Sequence, residues 1–414
     1  MSNSKNPESL TDRSDAMISR RRFLSGTATG AAGVAVLHKT VADITIDPTK
    51  QQGAPPAALG ERSPFEKPAR KVISNILSTT PLQDLHGTIT PADLHFERHH
   101  GGIPLIDPDK YKLIIHGMVE RPLKFSLDEL KRFPAITRSC FIECSGNTGE
   151  YFRADRKNTP QTLRGLTSQS EWTGVKLSTL FREAGISSRA SWFLAEGNDA
   201  AVMTRSIPVE KAWDDALVAY AQNGEPLRPA QGYPVRLLLP GWEGNTSIKW
   251  LRRLELGEQP FMTREETSKY SEPLPDGRIR QFSFEMEANS VITSPAYPEK
   301  IEPGWLEVRG LAWSGSGKIV KVEVSTDAGQ NWSVAELQEP VLAKSHTRFR
   351  YLWNWQGKPA VIMSRAVDQT GYIQPTHEAL RDERGLGAPY HLNSIVGWEV
   401  RADGLVYFDV KSWA

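Results

Sequence analysis

Residues 138–150 read Arg-Ser-Cys-Phe-Ile-Glu-Cys-Ser-Gly-Asn-Thr-Gly-Glu and contain both cysteines of the 414-residue chain, Cys140 and Cys144. A short apolar run precedes Cys144 and turn-forming residues follow it, which predicts that this thiol lies where a buried segment meets a loop. A thiolate there is a soft metal ligand, provided that neighbouring cations keep it deprotonated. The local pattern also fits one buried and one incidental thiol, or a disulfide within a tight loop.

The length of the chain predicts two or three domains, each with its own core. The 50 Lys and Arg residues nearly cancel the 49 Asp and Glu residues; residues 1–42 carry a net charge of +3 and the remainder about −2. A nearly neutral body gives no reason to expect a nucleic acid or an anionic membrane as partner. After the amino terminus, no segment has the roughly 20 apolar residues of a membrane span.

The amino terminus has the pattern of an export signal. The sequence Ser-Arg-Arg-Arg-Phe-Leu at residues 19–24 leads into a short, weakly apolar stretch that ends at Leu37. This stretch is too short to span a membrane. Its basic motif resembles the twin-arginine signal, which exports proteins already folded around a cofactor. We therefore expect residues 1–42 to be a twin-arginine signal peptide, cleaved after Ala42, and the mature protein to be periplasmic.

Two short helices are predicted from their capping residues. Ser126-Leu-Asp-Glu129 is a capping box that starts a helix running to Phe133, before a proline. Ser178 is expected to cap a second helix over residues 179–184, which Gly185 ends.

A buried strand and a small-residue loop follow further along the chain. Residues 233–240, Tyr-Pro-Val-Arg-Leu-Leu-Leu-Pro, predict a buried strand whose single charge, Arg236, must be paired or face a ligand. Residues 241–247, Gly-Trp-Glu-Gly-Asn-Thr-Ser, form a loop whose backbone N–H groups can approach an anion closely.

From about Ser290 onward, apolar and polar residues alternate with a period of two. Turn signals separate runs of this kind at residues 305–313, 319–325, 349–355 and 361–367. Short strands at regular spacing predict an antiparallel sandwich of immunoglobulin type, here without the cysteine pair of antibody domains.

Six short motifs occur in order along the chain. They are Phe-x-Arg-x-His at residues 96–100, Cys-x-Gly-Asn at 144–147, Glu-Gly-x-Asp at 196–199, Asn-Gly-x-Pro-Leu at 223–227, Gly-x-Pro-Val-Arg at 232–236 and Gly-x-x-Ser-x-Lys-Trp-Leu at 244–251. Together they resemble the sulfite oxidase family of molybdenum enzymes, over about residues 85–375. Within that family the export signal, the Glu-Cys-Ser sequence and the carboxyl-terminal tail are most similar to the molybdenum subunits of sulfane dehydrogenases.

The resemblance implies an α+β fold in three parts. Residues 1–42 would be the signal peptide. Residues 43–288 would form a molybdopterin-binding oxidoreductase domain of sulfite oxidase type, and residues 289–414 an immunoglobulin-like dimerisation domain with a carboxyl-terminal tail. The implied cofactor is the molybdenum cofactor, a molybdopterin whose metal also takes one protein thiolate. With two cysteines and no Cys-x-x-Cys-His sequence, the chain cannot carry a c-type haem or a four-cysteine cluster.

The resemblance also assigns candidate site residues. Cys144 is the implied metal ligand, whereas Cys140 is expected to be structural. Arg98 and Tyr270 are the implied catalytic partners of Cys144, and either Arg348 or Arg350 is expected to reach the pocket from the second domain. For each of Arg98 and Arg236, a structural ion pair remains an alternative to a ligand contact. The implied cofactor-binding set is Phe96, Arg98, His100, Cys144, Asp199, Arg236, Ser247 and Lys249.

The implied function is sulfur oxidation by oxygen transfer from molybdenum, with sulfane sulfur on a carrier protein, or sulfite, as substrate. Electrons are expected to pass to a c-type cytochrome during thiosulfate oxidation, within a homodimer or a heterotetramer. Departures from the family pattern at Gln231 and at residues 148–149 leave the substrate open. A stand-alone sulfite dehydrogenase is the main alternative, and a reductase of methionine sulfoxide or nitrate is less favoured.

Two alternatives come from other classes of protein. A zinc hydrolase could use His95, His99 and His100, because His-x-x-x-His places two ligands on one helix face. The glycines at 101 and 102 argue against a helix there. A cofactor-free exported binding module is supported only by the sandwich.

Overall fold

The computed structural model describes residues 50–148, 155–385 and 388–413. For residues 412 and 413 it describes the backbone only. The predicted signal peptide at residues 1–42 lies outside the described residues. The chain divides into two compact units at Ser63 and Pro64. In the first unit, the described residues are exposed and lack extended secondary structure. In the described part of the chain, no helix is long and apolar enough to cross a membrane.

The first part of the second unit is built from one mixed sheet, one antiparallel sheet, two smaller antiparallel sheets and short helices. The helices are α1 (Leu127–Lys131), α2 (Pro160–Arg164), α3 (Leu177–Ala184) and α4 (Val209–Asp214), and residues Glu265–Lys269 form a π-helical turn. The strands are β1 (Lys71–Ser74), β2 (Leu77–Thr79), β3 (Glu97–Arg98), β4 (Leu113–Gly117), β5 (Leu123–Phe125), β6 (Ala135–Glu143), β7 (Thr167–Lys176), β8 (Trp192–Gly197), β9 (Thr204–Pro208), β10 (Leu217–Gln222), β11 (Glu225–Pro226), β12 (Arg236–Leu238), β13 (Leu251–Gly257), β14 (Glu272–Pro273) and β15 (Ile279–Arg280).

One sheet has the order β5-β4-β13-β8-β9, with β4 and β13 parallel. The other has the order β11-β10-β7-β6, and β12 also pairs with β10. A single apolar cluster packs both sheets against α3 and includes Leu113, Val175, Phe181, Phe193 and Leu237. A second apolar cluster, which includes Phe96, Ile142 and Trp172, lies beneath the predicted site, and Cys144 packs against it.

The second part is an antiparallel sandwich. Its strands are β16 (Asn289–Ser294), β17 (Gly304–Trp313), β18 (Ile319–Ser325), β19 (Ser333–Val334), β20 (Glu336–Gln338), β21 (Thr347–Trp355), β22 (Ala360–Asp368), β23 (Gly397–Val400) and β24 (Val406–Phe408). One helix, α5 (His377–Arg384), lies in the chain between β22 and β23. The sheets have the orders β16-β17-β21-β20 and β19-β18-β22-β23-β24, and Trp313, Phe349 and Trp398 are buried in the core. This arrangement confirms the predicted α+β class and the sandwich.

The local predictions differ in their outcome. The capping box at α1 is confirmed, because the Ser126 hydroxyl accepts from the Glu129 N–H and the Glu129 carboxylate accepts from the Ser126 N–H. The predicted cap of α3 is wrong: this helix follows β7 directly, so Ser178 lies inside its first turn. The buried strand at Arg236 is only three residues long, because prolines at both ends of the predicted run lack the N–H that a sheet needs.

A buried hydrogen bond joins the cysteine segment to the sandwich. Glu143 is the last residue of β6, and its Oε2 accepts from Trp313 Nε1 in β17 at 2.7 Å. Its Oε1 accepts from Asn147 Nδ2 at 2.8 Å. Both Glu143 and Trp313 are almost fully buried. A single carboxyl group thus connects the loop after Cys144 to the core of the second part.

We expect Trp313→Phe to lower the free energy of unfolding by about 1–3 kcal/mol, because it leaves a buried carboxyl oxygen without its donor. The matched control is Trp305→Phe on the same strand, where the side chain is 69% exposed; its effect should stay within about 0.5 kcal/mol. Guanidinium unfolding followed by circular dichroism measures both. Equal effects of the two substitutions would contradict the importance of the Glu143 contact.

Candidate cofactor site

One cavity brings together the site residues predicted from the sequence. It contains about 680 Å³ of empty space, a volume that includes space open to solvent. Its walls come from β3, the end of β6, the segment after β8 and the chain between β12 and β13. All nine predicted site residues line it: Phe96, Arg98, His100, Cys144, Asp199, Arg236, Ser247, Lys249 and Tyr270.

Cys144 begins the loop that follows β6. Its N–H donates to the Leu166 carbonyl at 2.9 Å, and its own carbonyl accepts from the Asn147 N–H at 2.9 Å. Both cysteines are free thiols, so the disulfide alternative is wrong. Cys140 is fully buried in an apolar cluster and does not line the cavity. The structure therefore leaves Cys144 as the thiol that faces the cavity.

The protonation of Cys144 depends on what occupies the cavity. Burial raises the pKa of its thiol, and the Gly146 N–H and the Arg98 guanidinium oppose this effect without cancelling it. Binding to a metal ion deprotonates a thiol outright. The environment of Cys144 therefore favours a protonated thiol when no metal is bound and suits a thiolate that forms when a metal binds.

The loop between β12 and β13 lies against the Cys144 loop. The Gly244 N–H donates to the Glu143 carbonyl at 2.6 Å. A Cβ atom at position 244 would lie 2.7 Å from that carbonyl oxygen, so only glycine fits. Beside it, Asn245 Nδ2 donates to Ser145 Oγ at 3.0 Å and to Glu243 Oε2 at 2.9 Å. Ser247 holds the base of this loop, because its hydroxyl accepts from the Leu239 N–H at 3.0 Å.

Two buried cations in the cavity wall are bonded to neutral acceptors. Arg236 donates to the carbonyls of Gln231 and Ser247, at 3.1 and 2.9 Å. Lys249 Nζ donates to the carbonyls of Arg98 and Ala230, both at 3.0 Å. Burial lowers the pKa of Arg236 to about 9 and that of Lys249 well below its usual value. Among the described residues neither cation forms an ion pair, which favours an anionic ligand.

His95 and His99 line the same cavity as neutral imidazoles. Burial lowers the pKa of both to about 3. His99 Nδ1 accepts from Lys249, so its Nε2 carries the proton and faces Glu97. His95 Nδ1 donates to the Phe96 carbonyl, which leaves its buried Nε2 as an acceptor without a partner in the described residues.

These features fit a molybdenum cofactor. The free thiol of Cys144 could serve as the soft protein ligand that the family resemblance implies for the metal. Arg236 and Lys249 supply unneutralised positive charge for a phosphate group. The unpartnered acceptor of His95 matches an N–H donor of a pterin ring. Asp199, which is buried beside them, accepts from the Met203 N–H at 3.1 Å, so its side chain holds the segment after β8 in place.

Tyr270 follows the π-helical turn, and its hydroxyl lies 3.3 Å from His100 Nε2. The guanidinium of Arg205 stacks on its ring, with Cζ 4.8 Å from the centroid. The Tyr390 ring centroid lies 5.3 Å from that of Tyr270, with the two rings tilted. Neither Arg205 nor Tyr390 was predicted from the sequence. The signal for Arg205 is a charge inside a buried strand, like that of Arg236.

The second-domain arginines do not reach the cavity. Arg348 donates to the carbonyls of Leu85 and Gly87, and Arg350 pairs with Glu336 on the sandwich surface. Neither side chain lines the cavity. The expectation that Arg348 or Arg350 reaches the cavity is therefore wrong for this structure, because hydrogen bonds to other partners hold both side chains.

The zinc alternative has no support. Residues 97–98 form a short strand, not the helix that the His-x-x-x-His spacing would need. Among the described residues, no cluster of three or more His, Cys, Asp or Glu side chains could hold a metal ion.

The sequence matches two family models. Residues 100–265 match the oxidoreductase molybdopterin binding domain, and residues 280–396 match the Mo-co oxidoreductase dimerisation domain. The first match contains most of the cavity residues, including Cys144, and the second covers most of the sandwich.

The chain is also similar to a solved structure, the sulfane dehydrogenase SoxCD from Paracoccus pantotrophus. The identity is 42% and the TM-score 0.84, over 88% of this chain and 97% of that chain. This similarity extends over both parts of the fold.

Mitochondrial sulfite oxidase of Rattus norvegicus is 31% identical over 69% of this chain and 57% of the relative. Nitrate reductase [NADH] of Ulva prolifera is 31% identical over 65% of this chain and 34% of the relative. The chain thus spans about a third to just over half the length of these relatives. The two family models, the SoxCD structure and the sulfite oxidase sequences agree. The chain belongs to the sulfite oxidase family of molybdopterin enzymes.

Proposed function

We propose that this protein is a periplasmic molybdenum oxidoreductase that oxidises sulfur, with sulfane sulfur on a carrier protein as its preferred substrate. The observation that carries the proposal is the free thiol of Cys144 in a cavity with Arg98, Arg236 and Lys249. Among the described residues, none of these three cations has an ion-pair partner. A soft donor beside unneutralised positive charge suits a metal held by an anionic organic group.

The residues divide into two roles. Cys144 would bind the metal, and Arg236 and Lys249 would hold the phosphate end of the pterin with Asp199 and Ser247 shaping the wall. When bound, the cofactor supplies the two-electron oxidation and the oxygen transfer. Arg98 would orient the substrate, and Tyr270, whose hydroxyl faces His100, would hold a proton in the cavity wall. Burial raises the pKa of Tyr270, so its hydroxyl stays protonated.

The charge of the cavity favours a sulfane over sulfite. Thr148 adds no cation at the position after Asn147, and its hydroxyl accepts from the buried Arg164. Arg348 is bonded elsewhere. With Arg236 and Lys249 assigned to the cofactor, Arg98 remains as the cation for substrate. A single cation suits a weakly charged sulfane group better than a small dianion. The similarity to a sulfane dehydrogenase structure supports the same choice.

We further propose that electrons leave to a c-type cytochrome in a separate chain, within a homodimer or a heterotetramer. The two cysteines leave this chain without the ligands for a cluster of its own. The dimerisation-domain match over residues 280–396 supports an oligomer. The export motif in residues 1–42 supports a periplasmic location, and the change of strand pattern supports a domain division at residues 288–289.

We expect Cys144→Ser to reduce sulfur oxidation at least about 100-fold, because a hydroxyl is a poor replacement for a thiolate on a soft site. Molybdenum content, pterin fluorescence and X-ray absorption of the purified protein show whether the metal has lost its protein sulfur.

The matched control is Cys140→Ala, which removes the thiol that does not line the cavity. This variant should keep the molybdenum and the activity per loaded molecule. Full activity in Cys144→Ser would disprove the assignment of the metal ligand.

The substrate is tested by steady-state kinetics with ferricyanide as acceptor. We expect kcat/KM for a persulfide on a single-cysteine carrier peptide to exceed that for sulfite at least about tenfold, because the one cation left for substrate, Arg98, suits a weakly charged sulfane group better than a dianion. A tenfold ratio corresponds to about 1.4 kcal/mol of transition-state binding. The opposite ratio would identify a sulfite dehydrogenase. Turnover of neither compound by the molybdenum-loaded enzyme would contradict sulfur oxidation.

A further inference from the structure

A buried histidine from the carboxyl-terminal segment lies between two carboxylates. His391 Nε2 is 2.7 Å from Glu243 Oε1, and His391 Nδ1 is 2.9 Å from Glu287 Oε2. A carboxylate only accepts hydrogen bonds, so both ring nitrogens must donate, which requires the imidazolium form. Burial alone would lower the pKa of His391, but the two carboxylates raise it to about 10.

The histidine completes a larger network of charges, most of which are buried. Glu243 also accepts from Arg205 at 3.0 Å, and Glu287 accepts from Arg384. With the imidazolium included, the network holds four cations and four carboxylates. These are Arg205, Arg280, Arg384, His391, Glu243, Glu266, Glu272 and Glu287. A neutral side chain at position 391 would leave one buried negative charge without compensation, which is costly.

The network reaches the cavity through two contacts. The His391 N–H donates to the Ser145 carbonyl at 2.9 Å, next to Cys144. Glu243 holds Asn245, which lines the cavity and donates to the Ser145 hydroxyl. His391 therefore binds the loop of Cys144 through its backbone, and the neighbouring loop through its ring.

We propose that His391 is a positioning residue of the cofactor site, which fixes the Cys144 loop against the loop of Glu243 and Asn245. It touches neither the cavity nor the reacting atoms, so its effect acts through the orientation of the Cys144 sulfur. The inference rests on the proposed function only in taking Cys144 as the metal ligand.

The test uses His391→Gln and the charge-balanced double variant His391→Gln with Glu287→Gln, in the molybdenum-loaded enzyme. The double variant removes one cation and one carboxylate, so it should fold with a melting temperature above that of the single variant. In the double variant we expect kcat to fall about tenfold, with KM changed less than twofold. The g values of the molybdenum electron paramagnetic resonance signal should also shift, because they depend on the orientation of the Cys144 sulfur.

The matched control is His86→Gln, because His86 is exposed; it should match the wild type in every measurement. A folded double variant with wild-type kcat and g values would overturn the positioning role. A double variant that fails to fold would overturn the charge-balance argument on which the role depends. If the purified wild-type protein contained no molybdenum, the proposed function itself would be contradicted. A failure of the positioning role can therefore be distinguished from a failure of the proposed function.

Discussion

The site depends on the close contact between two backbone segments at Glu143 and Gly244. The Gly244 N–H donates to the Glu143 carbonyl at 2.6 Å, a distance that leaves no room for a Cβ atom. This contact sets the Cys144 loop beside the loop that carries Asn245 and leads to Lys249. The thiol and the cations share a cavity because these two loops cannot separate without breaking that bond.

Buried charge is used in two different ways around this contact. In the network of His391, each carboxylate faces a cation, and the opposite charges compensate one another. In the cavity wall, Arg236 and Lys249 are bonded to carbonyl oxygens, whose partial charges offset the burial of a cation only in part. In the network of His391, the protein itself neutralises the buried charges. In the cavity wall, a bound anion would be needed to neutralise Arg236 and Lys249. This difference distinguishes a structural network from a binding site.

Sequence reasoning succeeded where the signal is local. The capping box at Ser126, the turn after Cys144 and the charge of Arg236 in an apolar run each depend on neighbouring residues. The motif resemblance located the other predicted site residues that line the cavity. Reasoning from the sequence missed Arg205 and His391. The partners that give these residues their role lie 38 and 148 residues away in the chain, at Glu243. Sequence reasoning also placed the cap of α3 incorrectly, since that helix is started by the preceding strand rather than by a side-chain cap.

These long-range contacts explain why the site includes residues 389–391 of the carboxyl-terminal segment. From the first part of the fold, Leu166 accepts a backbone hydrogen bond from Cys144. From the second part, the His391 N–H donates to the Ser145 carbonyl, and Tyr390 and Pro389 lie within 3.9–4.0 Å of the place that a Cβ atom at position 146 would take. Both parts of the fold therefore hold the Cys144 loop. Because the direction of the Cys144 sulfur depends on how firmly this loop is held, the two parts of the fold complete one candidate site.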